Sequence, residues 1–242
     1  QAAGIDTAHF MVAEGESSST YLSLHDDSGE MVVAMSDMRV LQKLSVDFLK
    51  GKNGILRGAG AIVADCGLPE EVLDYLAAAY GPEAPVFVDP VSTAYAKKLV
   101  GRLQGLHTLK PNLLEAEIIA GMSITCRQDL DEALRRMLDQ GVRQVVVSLG
   151  KEGVYYRDRE GRCLRAWGEP MARVVNATGA GDAFMGGLVY AHLQGWQPEK
   201  ALPFAVAASR MAIAHQRTIN PGISAEKVLA LMEQDKITVK EL

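Results

Sequence analysis

Cysteine is scarce in this chain. Cys66, Cys126 and Cys163 are the only three in 242 residues, with no Cys-x-x-Cys and no Cys/His ligand spacing. That excludes a disulfide framework or a zinc site of ordinary spacing and fits a reducing cytoplasm. No polybasic run exists either: the net charge is −5 with acids and bases interspersed, which argues against nucleic acid or a membrane surface as the main partner. No apolar run approaches the length of a membrane span, and no signal-peptide pattern opens the chain. Histidines 9, 25, 107, 192 and 215 lack the mutual spacing of a metal site or a triad, and no serine sits in G-x-S-x-G, so they read as structural or surface groups. G-x-x-x-x-G-K-[ST] is missing as well. The chain opens on Gln1 in mid-pattern, and the expectation is the ordered part of a longer protein.

What is present is an α/β pattern, with 48% hydrophobic residues to build its core. Ser19–Leu24 alternates in polarity, Asp26–Gly29 has turn chemistry, and Glu30–Met35 continues as a second strand, so the spacing predicts a hairpin. From Ser45 the period changes. A helix through Val46, Phe48 and Leu49 precedes a buried strand, Ala61–Asp65, and a helix from Pro69 through Leu76. Short apolar runs at Val86–Asp89, His107–Leu109 and Gln144–Ser148 alternate with helical segments, the sign of a parallel sheet covered on both faces. Three helices close the chain, at about Gly179–Leu193, Glu199–His215 and Ser224–Glu233.

Ligands of such a sheet collect at the C-terminal ends of its strands. The polar residues expected on that rim are Asp65, Asp89, Lys110, Asn112, Ser148 and Gly150. The same rim is reached by Asn176–Gly187, a glycine turn expected between a strand ending at Arg173–Val175 and a helix in which Ala183, Gly186 and Gly187 allow close packing on the sheet. Free N–H groups at Gly179, Ala180 and Gly181, with the helix dipole behind them, make a site for phosphate. Phe184 occupies the last position of a would-be G-x-G-x-x-G, so this is no dinucleotide loop. Asp182 reads either as a favourable first-turn acid or as a group that handles a hydroxyl proton beside a transferring phosphoryl group. Asn112 and Glu115 read either as a capping box or as groups that position phosphate and, through water, Mg²⁺. The Ser148–Gly153 bend either makes a simple turn or lets backbone approach a base or a diphosphate.

Taken together, Asn176–Gly187, Asn112-Leu113-Leu114-Glu115 and the Ser148-x-Gly150-x-x-Gly153 bend resemble the motifs of the PfkB, or ribokinase-like, kinases, in matching order over essentially the whole chain. Within that family, Ser19–Leu24, Val63–Cys66, Val86–Ser92 and His107–Glu117 look most like bacterial pseudouridine kinases. The resemblance implies a ribokinase-like three-layer α/β sandwich with a mostly parallel central sheet (residues 38–242) and a β lid segment (1–37). The family's N-terminal part, with its substrate-binding double glycine, is absent from these residues. The implied activity is ATP-dependent phosphorylation of a sugar hydroxyl on a nucleoside-like substrate, with pseudouridine to pseudouridine 5′-phosphate as the expected reaction; another nucleoside, or a sugar such as ribose or 2-keto-3-deoxygluconate, is the alternative acceptor. A nucleotide-binding module without catalysis is the reading from another class. Asp182 is implied as catalytic base and acceptor contact, and Gly179, Ala180 and Gly181 as the anion hole. Asn112, Ser148, Gly150, Gly153 and Gly181 are implied for ATP, Asp65 for the acceptor, Glu115 for Mg²⁺, and Asn176 and Thr178 for K⁺. Val206 leaves the adenine to apolar packing. Homodimerisation through the lid strands is a further implication.

Overall fold

Thr20–His25, with its alternating polarity, and the apolar run that opens Met31–Asp37 build the expected antiparallel hairpin, β1 and β2. A computed structural model of the protein describes residues 4–25, 31–171 and 174–242, so the expected turn at Asp26–Gly29 lies outside the described residues. The hairpin is a sheet of its own, with Leu22, Leu24, Val32 and Met35 exposed.

Among the described residues, a second sheet of seven strands follows the chain in spatial order: β3 (Ile62–Asp65), β4 (Val86–Asp89), β5 (Thr108–Leu109), β6 (Gln144–Ser148), β7 (Val154–Asp158), β8 (Cys163–Trp167) and β9 (Thr238–Glu241). Strands β3 to β6 run parallel, and β7 to β9 extend the sheet antiparallel. The helices are α1 (Val46–Lys50), α2 (Asn53–Arg57), α3 (Glu70–Tyr80), α4 (Thr93–Ala96), α5 (Leu113–Ala120), α6 (Arg127–Asp139), α7 (Ala180–Leu193), α8 (Pro198–Ile213) and α9 (Ala225–Gln234). Leu76, Ile119, Leu134 and Met137 of α3, α5 and α6 pack on one sheet face. Phe184, Met185, Leu188 and Leu202 of α7 and α8 pack on the other, completing the ribokinase-like three-layer sandwich.

Three local expectations change. Strand β3 lies at the sheet edge and is only half buried: Ile62 and Ala64 point inward while Val63 is exposed. Val174 and Val175 form no strand, because Val175 donates its N–H to the Ile213 carbonyl at the end of α8 rather than to a strand partner. Gly187 packs α7 against α8, not against the sheet: a Cβ there would lie 2.7 Å from the Ala205 Cα, and Gly186 faces open space.

His107 and His192 pack with Phe87 in a ring cluster in which His192 stands edge-to-face to both Phe87 and His107, while Phe87 and His107 are tilted to each other by 33°. Burial holds the His107 imidazole down to about 4, with His192 and then Arg143 adding to the effect. The unfolded chain, titrating near the ordinary value, therefore binds more protons than the folded one between about pH 4 and 6.5. Stability is complete above that window and falls as the pH drops through it, by about 3 kcal/mol at most for this residue. Denaturant unfolding across the window checks this, and His107→Phe is expected to flatten the slope.

Candidate active site

Parallel pairing brings the exits of β3 to β6 onto one edge of the sheet. Asp65 lies opposite Asp89, Val88 opposite Leu109, and Leu109 opposite Val145. Lys110 and Asn112 therefore leave the sheet beside Asp89 and Ser148, and Asn112 bridges to Ser148. The Ser148 N–H donates to the Pro111 carbonyl, fastening the two exits together.

The glycine turn meets this edge from α7. Gly179 is the N-cap residue of α7 with φ +86°, and a Cβ there would come within 2.5 Å of the Thr218 carbonyl oxygen. Ala180 donates weakly to the Ala177 carbonyl at 3.4 Å. The N–H groups of Gly179, Gly181 and Asp182 have no acceptor among the described residues, so Gly179 and Gly181 are free as expected while Asp182 takes the place of Ala180 in the unpaired set. Free N–H groups at the start of a 14-residue helix suit an anion. Directly over the turn sits Lys110, whose Nζ is 3.3 Å from where a Gly181 Cβ would stand and 2.9 Å from the Asp89 carboxylate.

A cavity of about 600 Å³ opens at this point. It is lined by Lys110, Ser148, Gly150, Gly153, Ala180 and Gly181 together with the apolar Met171, Phe184, Val206 and Ile213. A charge and N–H donors beside apolar side chains suit a nucleotide. Arg210, also in the lining, is neutralised by Asp235 and donates to the Glu169 carbonyl. Asp182 lies on the far side of the turn. It is exposed, has no partner among the described residues, and stands with Gly179 on the lip of a second, apolar cavity of about 410 Å³.

Residues 1–225 match the pfkB family carbohydrate kinases. The chain belongs to the pfkB family. The pseudouridine kinase of Escherichia coli K12 is 37% identical to this pfkB kinase over 231 residues, which cover 95% of the chain and 73% of that protein. An uncharacterized sugar kinase of the same strain is 36% identical, over 95% of the chain and 63% of its own length. Among solved structures, a candidate sugar kinase from Clostridium perfringens superposes with a TM-score of 0.84 at 35% identity, covering 99% of this pfkB kinase and 74% of that chain. The Arabidopsis thaliana ribokinase, solved with ribose and ATP, shares the fold at 24% identity and a TM-score of 0.74, over 88% of this chain and 68% of its own. As a member of the family, this pfkB kinase is a phosphotransferase acting on a hydroxyl group of a small molecule, and ATP is the family's phosphoryl donor.

The other motif residues of this pfkB kinase fall into two groups. Asn112 caps α5 by accepting from the Glu115 N–H at 2.9 Å, and Glu115 returns the favour by accepting from the Asn112 N–H at 2.8 Å. The capping box is thus real, yet one carboxylate oxygen of Glu115 stays without a partner among the described residues. Burial pushes that carboxyl above its ordinary range and Asp89 adds to the push, while the Asn112 N–H and Lys110 oppose it. A buried acid with a spare oxygen, beside another acid, fits a hydrated divalent cation. Asn112 itself lines a neighbouring cavity with Ser148 and Gly150, not the one that holds Lys110. Asp65 stays outside these cavities, its Oδ1 accepting from the Gly67 N–H. Asn176 accepts from the Thr178 N–H and donates to the Gln216 carbonyl, so its oxygen is already partly engaged. The Lys110–Asp89 pair went unassigned in the sequence, where only their position at the ends of apolar runs marked them.

Proposed function

We propose that this pfkB kinase transfers the γ-phosphoryl group of ATP to the 5′-hydroxyl of a nucleoside-like sugar, with pseudouridine as its acceptor. The observation that carries the reading is the placement of the glycine turn between a cavity lined by Lys110, free N–H groups and apolar side chains, and the Asp182 carboxylate, which lines a second cavity and is unpaired among the described residues. In this reading the phosphates of ATP rest on the N–H groups at Gly179–Asp182, and Ser148, Gly150 and Gly153 border the nucleotide. Asp182 orients the acceptor hydroxyl and takes its proton. The hydroxyl oxygen forms its bond to the γ-phosphorus as the bond to the ADP oxygen breaks, the electron pair leaving with ADP. Mg²⁺, held through water by Glu115, would supply charge neutralisation for the phosphates. The hairpin β1–β2 would act as a lid over the acceptor, which Asp65 contacts, and as a dimer surface through its exposed apolar residues. A K⁺ ion would draw on the Thr178 carbonyl and the remaining lone pair of Asn176.

The likeness to the Escherichia coli pseudouridine kinase supports the acceptor assignment, and a panel tests it. ADP release is measured with pseudouridine, uridine, ribose and 2-keto-3-deoxygluconate; kcat/KM highest for pseudouridine is expected, and a clear preference for ribose contradicts the assignment. A second prediction concerns the metal. Glu115→Gln retains an acceptor for the Asn112 N–H but loses the charge, and is expected to raise the Mg²⁺ concentration for half-maximal activity about 10–100-fold. A magnesium titration of the variant at saturating ATP reads this directly.

A further inference from the structure

Lys110 is 5% exposed, and its ammonium has a single partner among the described residues, the Asp89 carboxylate at 2.9 Å. An ammonium carries three donors, so two of them point away from Asp89 without an acceptor while the group lines the nucleotide-sized cavity. Burial of a charge is costly unless its hydrogen-bonding capacity is met, and a buried ion pair is poor evidence of stability by itself. The pair is held with some strain. The other oxygen of Asp89 accepts from the Val91 N–H at 3.0 Å, and Val91 adopts φ +67°, a left-handed conformation that a β-branched residue strongly disfavours. Both charges stand against the turn: a Cβ on Gly181 would be 3.3 Å from the Lys110 Nζ and 4.0 Å from Asp89 Oδ2. Without Lys110, the carboxylates of Asp89 and Glu115 would confront an arriving phosphate with negative charge alone.

We propose that Lys110 is a catalytic residue that contacts the transferring γ-phosphoryl group, with Asp89 as the counter-ion that aims it and shares it with phosphate. The two unpaired N–H bonds supply donors for phosphate oxygens, while the third stays on Asp89. As negative charge moves off the γ-phosphoryl group toward the ADP oxygen, a fixed ammonium beside the N–H groups of the turn stabilises it. Asp89 is a positioning residue: it holds the ammonium over Gly181 and acts on substrate only through Lys110.

This inference rests on the reading that the turn receives the phosphates of ATP, and calorimetry with ATP and ADP tests it independently of turnover. Lys110→Met is expected to weaken ATP binding about tenfold or more relative to ADP, the scale of losing one charge-assisted hydrogen bond. The kcat of the same variant is expected to fall about 10²–10³-fold. Adding Asp89→Asn to Lys110→Met is expected to restore part of the ATP affinity, because it removes the uncompensated carboxylate; a merely structural pair would show no such recovery. ADP binding reports that each variant is folded, and Lys110→Arg, which keeps the charge, is expected to retain the preference for ATP. Unchanged ATP-to-ADP selectivity in Lys110→Met, or equal loss of both nucleotides, overturns the assignment. If the unsubstituted protein binds ATP but phosphorylates no acceptor in the panel, the proposed function fails while the selectivity measurement still decides the role of Lys110.

Discussion

Asp182→Ala is expected to lower kcat by about 10²–10⁴-fold, the usual contribution of a positioned acid–base group, while leaving ATP affinity unchanged or slightly tighter. The sign of the second effect follows from placement. Asp182 stands in the first turn of α7 beside the N–H groups that receive phosphate, so its carboxylate repels the ligand that those groups attract. Removing it relieves that repulsion. The variant should fold normally, since the side chain is exposed and unpartnered among the described residues and its first-turn charge is worth only about 0.3–1 kcal/mol. Steady-state kinetics together with calorimetry separate these effects. Were Asp182 only a helix-stabilising acid, kcat would stay near its original value and the small loss would appear in thermal stability instead.

The second large effect concerns Gly153, and it falls on stability. Gly153 follows the tight turn Gly150–Glu152 with φ +88° and ψ −135°, a region that only glycine populates freely. A Cβ there would meet the Ala166 carbonyl oxygen at 2.1 Å and the Trp167 backbone at 2.9 Å, in strand β8. Neither neighbour can yield without opening the sheet. Gly153→Ala is expected to destabilise the protein by about 3 kcal/mol or more, read as a large drop in Tm and in soluble yield. Gly150 offers the contrast within the same motif. It also has positive φ, but a Cβ there meets nothing within 4 Å, so Gly150→Ala should cost only about 1–2 kcal/mol of strain. One glycine of the motif keeps the sheet closed, and the other keeps a turn open beside the nucleotide cavity.

Much of this architecture was legible because local chemistry and tertiary placement agree. The hairpin shows in the alternation of Ser19–Leu24 and the apolar run that follows the turn, β4 and β6 in apolar, valine-rich runs, and the start of α5 in a capping box whose two bonds are both made. Strand β9 was not legible. Thr238–Glu241 is a short, polar, largely exposed edge strand that exists only through its pairing with β8. Strand β8 itself hides its pattern behind Arg165, whose guanidinium lies over the Trp167 ring. Val174 and Val175 misled in the other direction, since β-branched residues there simply cross to the end of α8. In the site, the glycine turn and its acid were plain from the sequence, and of the cavity's apolar lining only Val206 was. Met171, Phe184 and Ile213 join it from separate segments that carry no joint signal. The Lys110–Asp89 pair needs β4 and β5 side by side before the two charges can be seen to meet.

In the proposed reaction, the turn at Gly179–Asp182 passes a phosphoryl group from ATP to the hydroxyl of a nucleoside-like acceptor. Phosphorus NMR of the products formed from ATP and pseudouridine tests it most directly. The predicted result is one phosphomonoester on the 5′-hydroxyl for each ADP released, formed about 10²–10⁴-fold more slowly by Asp182→Ala. Release of inorganic phosphate without a phosphorylated acceptor, or product formation by the Asp182→Ala variant at the original rate, would contradict it.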